Sequence, residues 1–294
     1  MNIVQWGGGI VKHIIRIVFL VFIMAFSFTG CEKEKEAGIT IEEQVLVDQD
    51  GITITLLSYD NPGVQEDGFS GPEIVFSVRN SREETFNLMG EILSINDLMF
   101  NSGIYDRVEA GTEKQFRLQL NPSDIDFNYT ENITTFEIKF KAENVTSDKI
   151  ETILETEPFI INTSLEGKYT QKYDDSGLLL YDENDLRIIC QGINEDHSAY
   201  TRMKLYIENN SDKELHITLY PEPGELIPED WDHVCKVLPG KKTYAGFILK
   251  EEVIRNLSEF DLKFIVHEIN EYTDTRGPDF LYETESKMIP VKLE

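Results

Sequence analysis

The sequence is poor in basic residues, in cysteine and in tryptophan. It has 27 Lys and Arg residues against 54 Asp and Glu residues, which gives a formal net charge of -27 at pH 7. This excess of negative charge repels phosphate backbones, so nucleic acid is excluded as the expected partner. The 3 cysteines in 294 residues are too few for a disulfide scaffold, and their irregular spacing fits no zinc module.

Sequence motifs of common enzymes are missing as well. There is no glycine-rich phosphate loop, no nucleophile elbow, and no HxH or HExxH spacing among the histidines. His233 lies two residues from Cys235, and on a strand it would be a parallel neighbour of that thiol rather than a poised base. We therefore expect a protein that is not an enzyme and has no cofactor. A hydrolytic or calcium-dependent surface enzyme is the less favoured alternative, because spacing alone does not exclude paired or clustered carboxylates.

The first thirty residues have the features of a signal peptide. A basic start without acidic residues precedes an uncharged apolar run at residues 17–28. A membrane-spanning helix needs about 20 apolar residues, so this run is short for a permanent span and typical of a signal peptide. The run ends in Phe28-Thr29-Gly30-Cys31, which resembles the lipobox of bacterial lipoproteins.

The lipobox resemblance implies that the chain is cut before Cys31 and that Cys31 carries a diacylated thioether. Two acyl chains give stable membrane attachment where a single chain would not. Residues 1–30 would then be the signal peptide and residues 31–38 a charged tether. An uncleaved N-terminal anchor helix is the alternative. Either arrangement places residues 39–294 on the extracellular side of the cell membrane.

The remaining sequence contains one unit twice. Four blocks recur in the same order, and each retains its pattern of apolar and polar residues. The matched blocks are 48–54 with 182–188, 74–81 with 203–211, 110–114 with 239–243, and 136–140 with 260–264. Such an internal repeat indicates two homologous domains, which we place at residues 39–163 and 164–294.

Within each unit the apolar residues alternate with polar ones. Ile52, Ile54 and Leu56 alternate with threonines, a period of two that predicts antiparallel strands with one buried face. Asp50-Gly51 is interpreted as a hairpin turn, because the acids that would complete a calcium-binding loop are missing. Several short strands without long amphipathic helices are typical of a β-sandwich. The sequence therefore predicts an all-β fold of two tandem Ig-like antiparallel β-sandwich domains.

A family resemblance agrees with this fold. Residues 205–217, LYIENNSDKELHI, resemble a strand-turn-strand signature of Gram-positive bacterial lipoproteins, and residues 78–86 are a degenerate copy of it. These lipoproteins carry extracellular Ig-like domains, singly or in tandem. The resemblance implies the fold and the surface location. It implies little about activity, because its motifs are structural.

One loop of the second unit is a candidate recognition site. Residues 220–233 contain three prolines and five acidic residues. Exposed tryptophan is a common interface anchor, so we predict a recognition loop built from Tyr220, Trp231, Asp232 and His233. The alternative is that Trp231 closes an open end of the sandwich.

The two cysteines outside the lipobox have different expected roles. Cys190 occupies the position of Leu56 in the first unit, which predicts a small buried apolar residue. A Cys190–Cys235 disulfide remains open as an alternative, since an extracellular location would be oxidising.

These observations together predict a membrane-anchored, non-enzymatic binding or scaffold module. The acidic charge favours a cationic protein, peptide or cell-wall group as the ligand. A structural spacer in the cell envelope is the alternative function.

Overall fold

The computed structural model describes residues 38–60, 72–120, 132–145, 149–195, 201–228, 234–268 and 279–292. Strands contain 65% of the described residues and helices 3%, so the predicted all-β class is confirmed. Among the described residues, helix is confined to a 3-10 turn at Gly224–Leu226 and the one-turn helix α1 at Glu251–Ile254. Residues 1–37, which include Cys31, lie outside the described residues. No described helix has the length and apolar character needed to cross a membrane.

The described residues form nine strands in each half of the chain. The first half contains β1 (Gln44–Gln49), β2 (Ile52–Asp60), β3 (Glu73–Asn80), β4 (Phe86–Ile95), β5 (Leu98–Val108), β6 (Glu113–Gln119), β7 (Thr135–Val145), β8 (Ile150–Glu155) and β9 (Phe159–Asn162). The second half contains β10 (Leu178–Glu183), β11 (Leu186–Glu195), β12 (Thr201–Asn209), β13 (Leu215–Glu222), β14 (Val234–Val237), β15 (Lys242–Leu249), β16 (Glu259–Glu268), β17 (Asp279–Glu283) and β18 (Lys287–Pro290).

These strands make three sheets. A four-stranded sheet has the order β1-β2-β3-β6, and a five-stranded sheet has the order β14-β13-β16-β17 with β18 also paired to β16. The third sheet has nine strands from both halves, in the order β10-β11-β12-β15-β5-β4-β7-β8, with β9 also paired to β7. Among the described strand pairs, only β15 with β5 is parallel, through Lys242 and Leu98. The two halves are therefore joined edge to edge within one sheet.

The strand order of the first half recurs in the second. The set β1-β2-β3-β6 corresponds to β10-β11-β12-β15, and β5-β4-β7-β8 corresponds to β14-β13-β16-β17. Irregularities in register recur too: β1 shifts against β2 after Val45, and β10 shifts against β11 after Leu179. β2 shifts against β3 after Leu56, and β11 shifts against β12 after Cys190. The repetition seen in the sequence thus extends to the β-bulges.

The core forms where the apolar faces of the sheets meet. Ile52, Ile54 and Leu56 are each 0% exposed, as their alternation predicts. In the second half, Leu186 and Ile188 occupy the equivalent positions and belong to one continuous core cluster. Since successive side chains of a strand point to opposite faces, this alternation buries one face of each strand and leaves the other polar.

Tight turns connect the hairpins. Asp50 and Gly51 have φ angles of 52° and 77°, and Asn184 and Asp185 have φ angles of 53° and 59°. Two consecutive residues with positive φ are the requirement of a type I′ turn, whose twist matches that of antiparallel strands. The side chain of Asp48 accepts a hydrogen bond from Thr53 Oγ1 at 3.1 Å, across the hairpin. The hairpin interpretation of Asp50-Gly51 is therefore confirmed.

A buried asparagine is the last residue of β3 in the first half, and another is the last residue of β12 in the second half. Asn209 is 0% exposed, and its Nδ2 donates to the carbonyl oxygens of Lys213, Val237 and Leu238 at 2.7, 3.0 and 3.1 Å. Asn80 makes the equivalent three bonds in the first half. Each asparagine ties a strand end to the turn that follows it and to the facing sheet.

Candidate functional site

The predicted recognition loop is described in part. Trp231, Asp232 and His233 lie outside the described residues. Tyr220 lies on the outer face of β13, where it is 41% exposed and pairs across the strands with Lys263. Leu226, in the same segment, is 0% exposed and belongs to the core of the second half. The backbone N–H of Lys250 donates to the Leu226 carbonyl at 2.8 Å, which fixes the start of the loop beside α1.

A cavity of about 420 Å³ lies where the two halves meet, and we call it the junction cavity. Its apolar walls include Leu93, Met99 and Phe100 from the first half and Cys235, Ala245 and Phe247 from the second. Two charged side chains, Glu91 and Lys236, also line it. Val234, which also lines the cavity, is the first described residue after the predicted recognition loop.

The junction cavity exists because the second half is open on one side. β14 is a short strand of four residues at the edge of the five-stranded sheet. β5 of the first half covers this opening: Met99 packs against the second core, and the backbone N–H of Leu238 donates to its sulfur at 3.2 Å. The site therefore depends on both halves.

A small cluster of aromatic residues locks the halves together on the other face of the nine-stranded sheet. Leu98 of β5 packs with Ile189, Tyr206 and Tyr244 of the second half, and all four are at most 3% exposed. Tyr173, from the connection between β9 and β10, packs against this cluster and donates a hydrogen bond to the Asn96 carbonyl at 2.9 Å. Burial raises the pKa of Tyr173 to about 12, so its hydroxyl remains a donor at neutral pH.

The equivalent face of the first half is polar. Strand register aligns Tyr206 with Ser77, because each lies opposite the fourth residue of one neighbouring strand (β11 or β2) and the third residue of the other (β15 or β6). The corresponding residues are Ser77, Gln115 and Thr55 in the first half and Tyr206, Tyr244 and Ile189 in the second. At these three positions the second half, whose sheet is covered by the first half, has apolar or aromatic side chains where the first half has polar ones.

The side chain of Lys241, in the second half, forms ion pairs with the first half. Its Nζ lies 2.5 Å from Oε2 of Glu137 and 3.1 Å from Oδ1 of Asp97, both in the first half. Burial acts to lower the pKa of Lys241, but the hydrogen bond to Glu137 and the two carboxylate charges outweigh it, so the pKa is raised. The backbone N–H of Lys242 also donates to the Asp97 carbonyl at 3.0 Å.

Cys190 and Cys235 form no disulfide, and both side chains are thiols. The two cysteines lie on strands of different sheets. Cys190 is on β11, 6% exposed within the core as predicted, whereas Cys235 is on β14 opposite Ile217 of the facing sheet. The Cys190 thiol donates to the Gly192 carbonyl at 3.9 Å, and burial raises its pKa, which disfavours the reactive thiolate.

The junction between the halves was not predicted from the sequence. A signal was present in the apolar residues Leu98, Met99 and Phe100, which follow each other without alternation and therefore cannot all face one core. Among the described residues, no group of three or more His, Cys, Asp or Glu side chains is arranged to hold a metal ion.

Comparisons with known proteins add no family. No protein-family model matches the sequence, and no curated protein matches it. A solved structure that aligns with this chain is the crystal structure of red sea bream transglutaminase, at 11% sequence identity and a TM-score of 0.20. The alignment covers 84% of this chain and 32% of the transglutaminase chain. A TM-score this low carries no conclusion about fold or activity.

Proposed function

We propose that this protein is a lipid-anchored lipoprotein of the cell surface, and that two tandem Ig-like β-sandwiches form its non-enzymatic binding or scaffold module. Support for the anchor comes from the lipobox-like residues 28–31 after a short apolar run. Support for the two sandwiches, at residues 39–163 and 164–294, comes from the strand order that recurs in each half. In each half the chain alternates between two facing antiparallel sets of strands, as in Greek-key sandwiches.

The observation that carries the binding role is the junction cavity. Ligand sites are usually preformed concave spaces of roughly 300–1,000 Å³ with mainly apolar walls and a few polar groups. The junction cavity has this size, and its lining combines apolar side chains with polar and charged ones such as Glu91 and Lys236. Because Lys241, Met99 and the aromatic cluster of Tyr206 and Tyr244 hold both halves in place, its walls are fixed before a ligand arrives. Such preorganisation lowers the entropic cost of binding.

The ligand that fits this site best is a cationic peptide segment with one large apolar side chain. The apolar side chain would enter among Leu93, Met99 and Phe247, while basic groups beside it would meet Glu91 and the acidic surface. The net charge of -27 would attract such a ligand over a distance set by the ionic strength.

Binding of a lysine-rich peptide that contains one phenylalanine tests this proposal. We expect fluorescence anisotropy with the full chain to show binding that weakens as salt is raised. Leu93→Trp should weaken binding because it fills the cavity from the first half. Leu178→Trp is the matched control, since Leu178 is 42% exposed on β10 and lines no part of the cavity. An affinity that does not depend on salt concentration would refute the proposed site. An equal change of affinity in both variants would refute it as well.

A structural spacer is the second candidate function. The observation that favours it is the continuous nine-stranded sheet, which makes a stiff connection between the halves. A spacer would need this stiffness but not the cavity. Under this alternative, the Leu93→Trp variant would fully complement a strain that lacks the gene. A variant with a weakened junction, such as Lys241→Met, would not.

A further inference from the structure

Two histidines that are far apart in the sequence lie directly opposite each other on neighbouring strands. His216 of β13 is in register with His267 of β16. Their strand neighbours Ile217 and Val266 are 0% exposed in the core, so both imidazoles lie on the outer face of the five-stranded sheet. Directly opposed residues have Cβ atoms about 4.5–5.5 Å apart, which lets two imidazoles reach one ion.

Each ring has a nitrogen that is shielded from solvent and makes no hydrogen bond. These atoms are Nε2 of His216 and Nδ1 of His267. The closest charged group to the first is Oε1 of Glu214, at 3.5 Å. Buried polar atoms are nearly always satisfied, so two unsatisfied nitrogens on opposed residues require a reason. In the tautomer that has its proton on the other ring nitrogen, each of these atoms has the lone pair that metal ions bind.

From this juxtaposition we infer that His216 and His267 bind a divalent transition-metal ion, with Glu214 as the nearest carboxylate and water at the remaining positions. Neutral imidazole is a ligand for Ni²⁺, Cu²⁺ and Zn²⁺ and is a poor one for Ca²⁺ and Mg²⁺. A site with two ligands from the chain binds more weakly than a structural zinc site with four. This inference is independent of the junction cavity and of the proposed peptide ligand.

The surroundings are compatible with a bound cation. The charged groups that face the pair are Glu214 and Lys236, 3.2 Å apart, and Lys213 and Glu268, 2.6 Å apart. Phe280, 61% exposed on β17, covers the edge of His267 with ring centroids 6.1 Å apart. Lys236 and Phe280 are surface side chains that can move aside as the ion enters.

Calorimetric titration of the full chain with Ni²⁺ at pH 7.5 tests the inference. We expect one Ni²⁺ to bind, with at least tenfold weaker binding after either His216→Gln or His267→Gln, and no binding of Ca²⁺. The thermal unfolding curves of the variants, followed by circular dichroism, must match that of the parent. A loss of Ni²⁺ affinity then reflects the site and not the fold. Arg107→Gln is the control, because Arg107 is an exposed residue of β5 in the first half, and we expect it to leave the affinity unchanged.

A spectroscopic measurement identifies the ligands directly. Electron paramagnetic resonance of the Cu²⁺ complex should show two equivalent imidazole nitrogens in the parent and one in each single variant. Binding by the double variant H216Q/H267Q that equals the parent would overturn the inference, and so would a parent chain that binds no Ni²⁺.

Discussion

Asn80 and Asn209 show how much of this fold depends on single polar residues. Each lies at the end of a strand and is almost fully buried, at 1% and 0% exposure. In each case one amide nitrogen donates to three carbonyl oxygens, and the amide oxygen accepts the backbone N–H two residues later. No other side chain of similar size supplies both a donor and an acceptor in this geometry. The same network in both halves explains why asparagine occurs at both positions.

Replacement of Asn209 by alanine should therefore destabilise the protein. Three carbonyl oxygens would lose their donor, and we expect the free energy of unfolding to fall by about 2–3 kcal/mol. Asn210→Ala is the control because Asn210 is exposed and next in sequence. Urea denaturation followed by circular dichroism measures both. An equal effect of the two substitutions would contradict the structural role of Asn209.

At the scale of the element, the turns were predictable and the strand partners were not. Alternation at Ile52, Ile54 and Leu56 depends only on neighbours in sequence, so it reveals strands and their buried faces. The Asp50-Gly51 turn follows from the positive φ that glycine tolerates. The parallel pairing of β15 with β5 depends on which edges remain open after both halves have formed. Local sequence contains no rule for that choice.

Local sequence was equally unable to reveal the junction cavity and the proposed site at His216 and His267. The residues of the junction cavity come from four strands in two halves, and only Cys235 among them was singled out from the sequence. His216 and His267 gave no metal signal, because the familiar motifs place their ligands close together in sequence. Strand register alone brings them together.

The β1–β2 turn provides a test at this scale. Gly51 has φ of +77°, and an added Cβ would lie 2.9 Å from Cγ of Arg82. Gly51→Ala should lower the free energy of unfolding by about 1–2 kcal/mol, since a left-handed conformation disfavours a side chain. Gly224→Ala is the control, because its added Cβ meets no atom within 4 Å and its φ is not left-handed. Denaturation midpoints that shift equally would contradict the turn assignment.

At the scale of the whole molecule, the contacts of the junction join the two repeats into one compact unit. Residues Thr40–Glu294 form a single compact unit. Lys241 is central to it, since its side chain is 15% exposed and bridges two carboxylates of the other half. Lys241→Met would leave Glu137, itself 17% exposed, without its cation.

We expect Lys241→Met to destabilise the protein by about 2 kcal/mol at pH 7, somewhat less than the loss of one partner from a fully buried pair. The raised pKa of Lys241 gives the pH dependence of this effect. The stabilisation is complete below the pKa of an unfolded lysine, about 10.4, and is lost as pH rises through the higher folded pKa. The difference between parent and variant should therefore be constant from pH 7 to about pH 10 and shrink above it.

Urea denaturation at several pH values measures this difference. Lys263→Met is the control, because Lys263 pairs with Glu283 at 2.7 Å on the exposed face and surface pairs contribute little. If the two variants lose equal stability, Lys241 does not hold the junction.

The central claim of this account is that fatty acyl chains hold the protein at the outer surface of a membrane. Mass spectrometry of the native protein, extracted from its own membrane, tests this claim most directly. The account predicts an N-terminal peptide that begins at Cys31 and carries two acyl chains on a thioether-linked glycerol, and a Cys31→Ser variant that is neither cut nor acylated. An extracted protein that retains residues 1–30 with an unmodified Cys31 would contradict it.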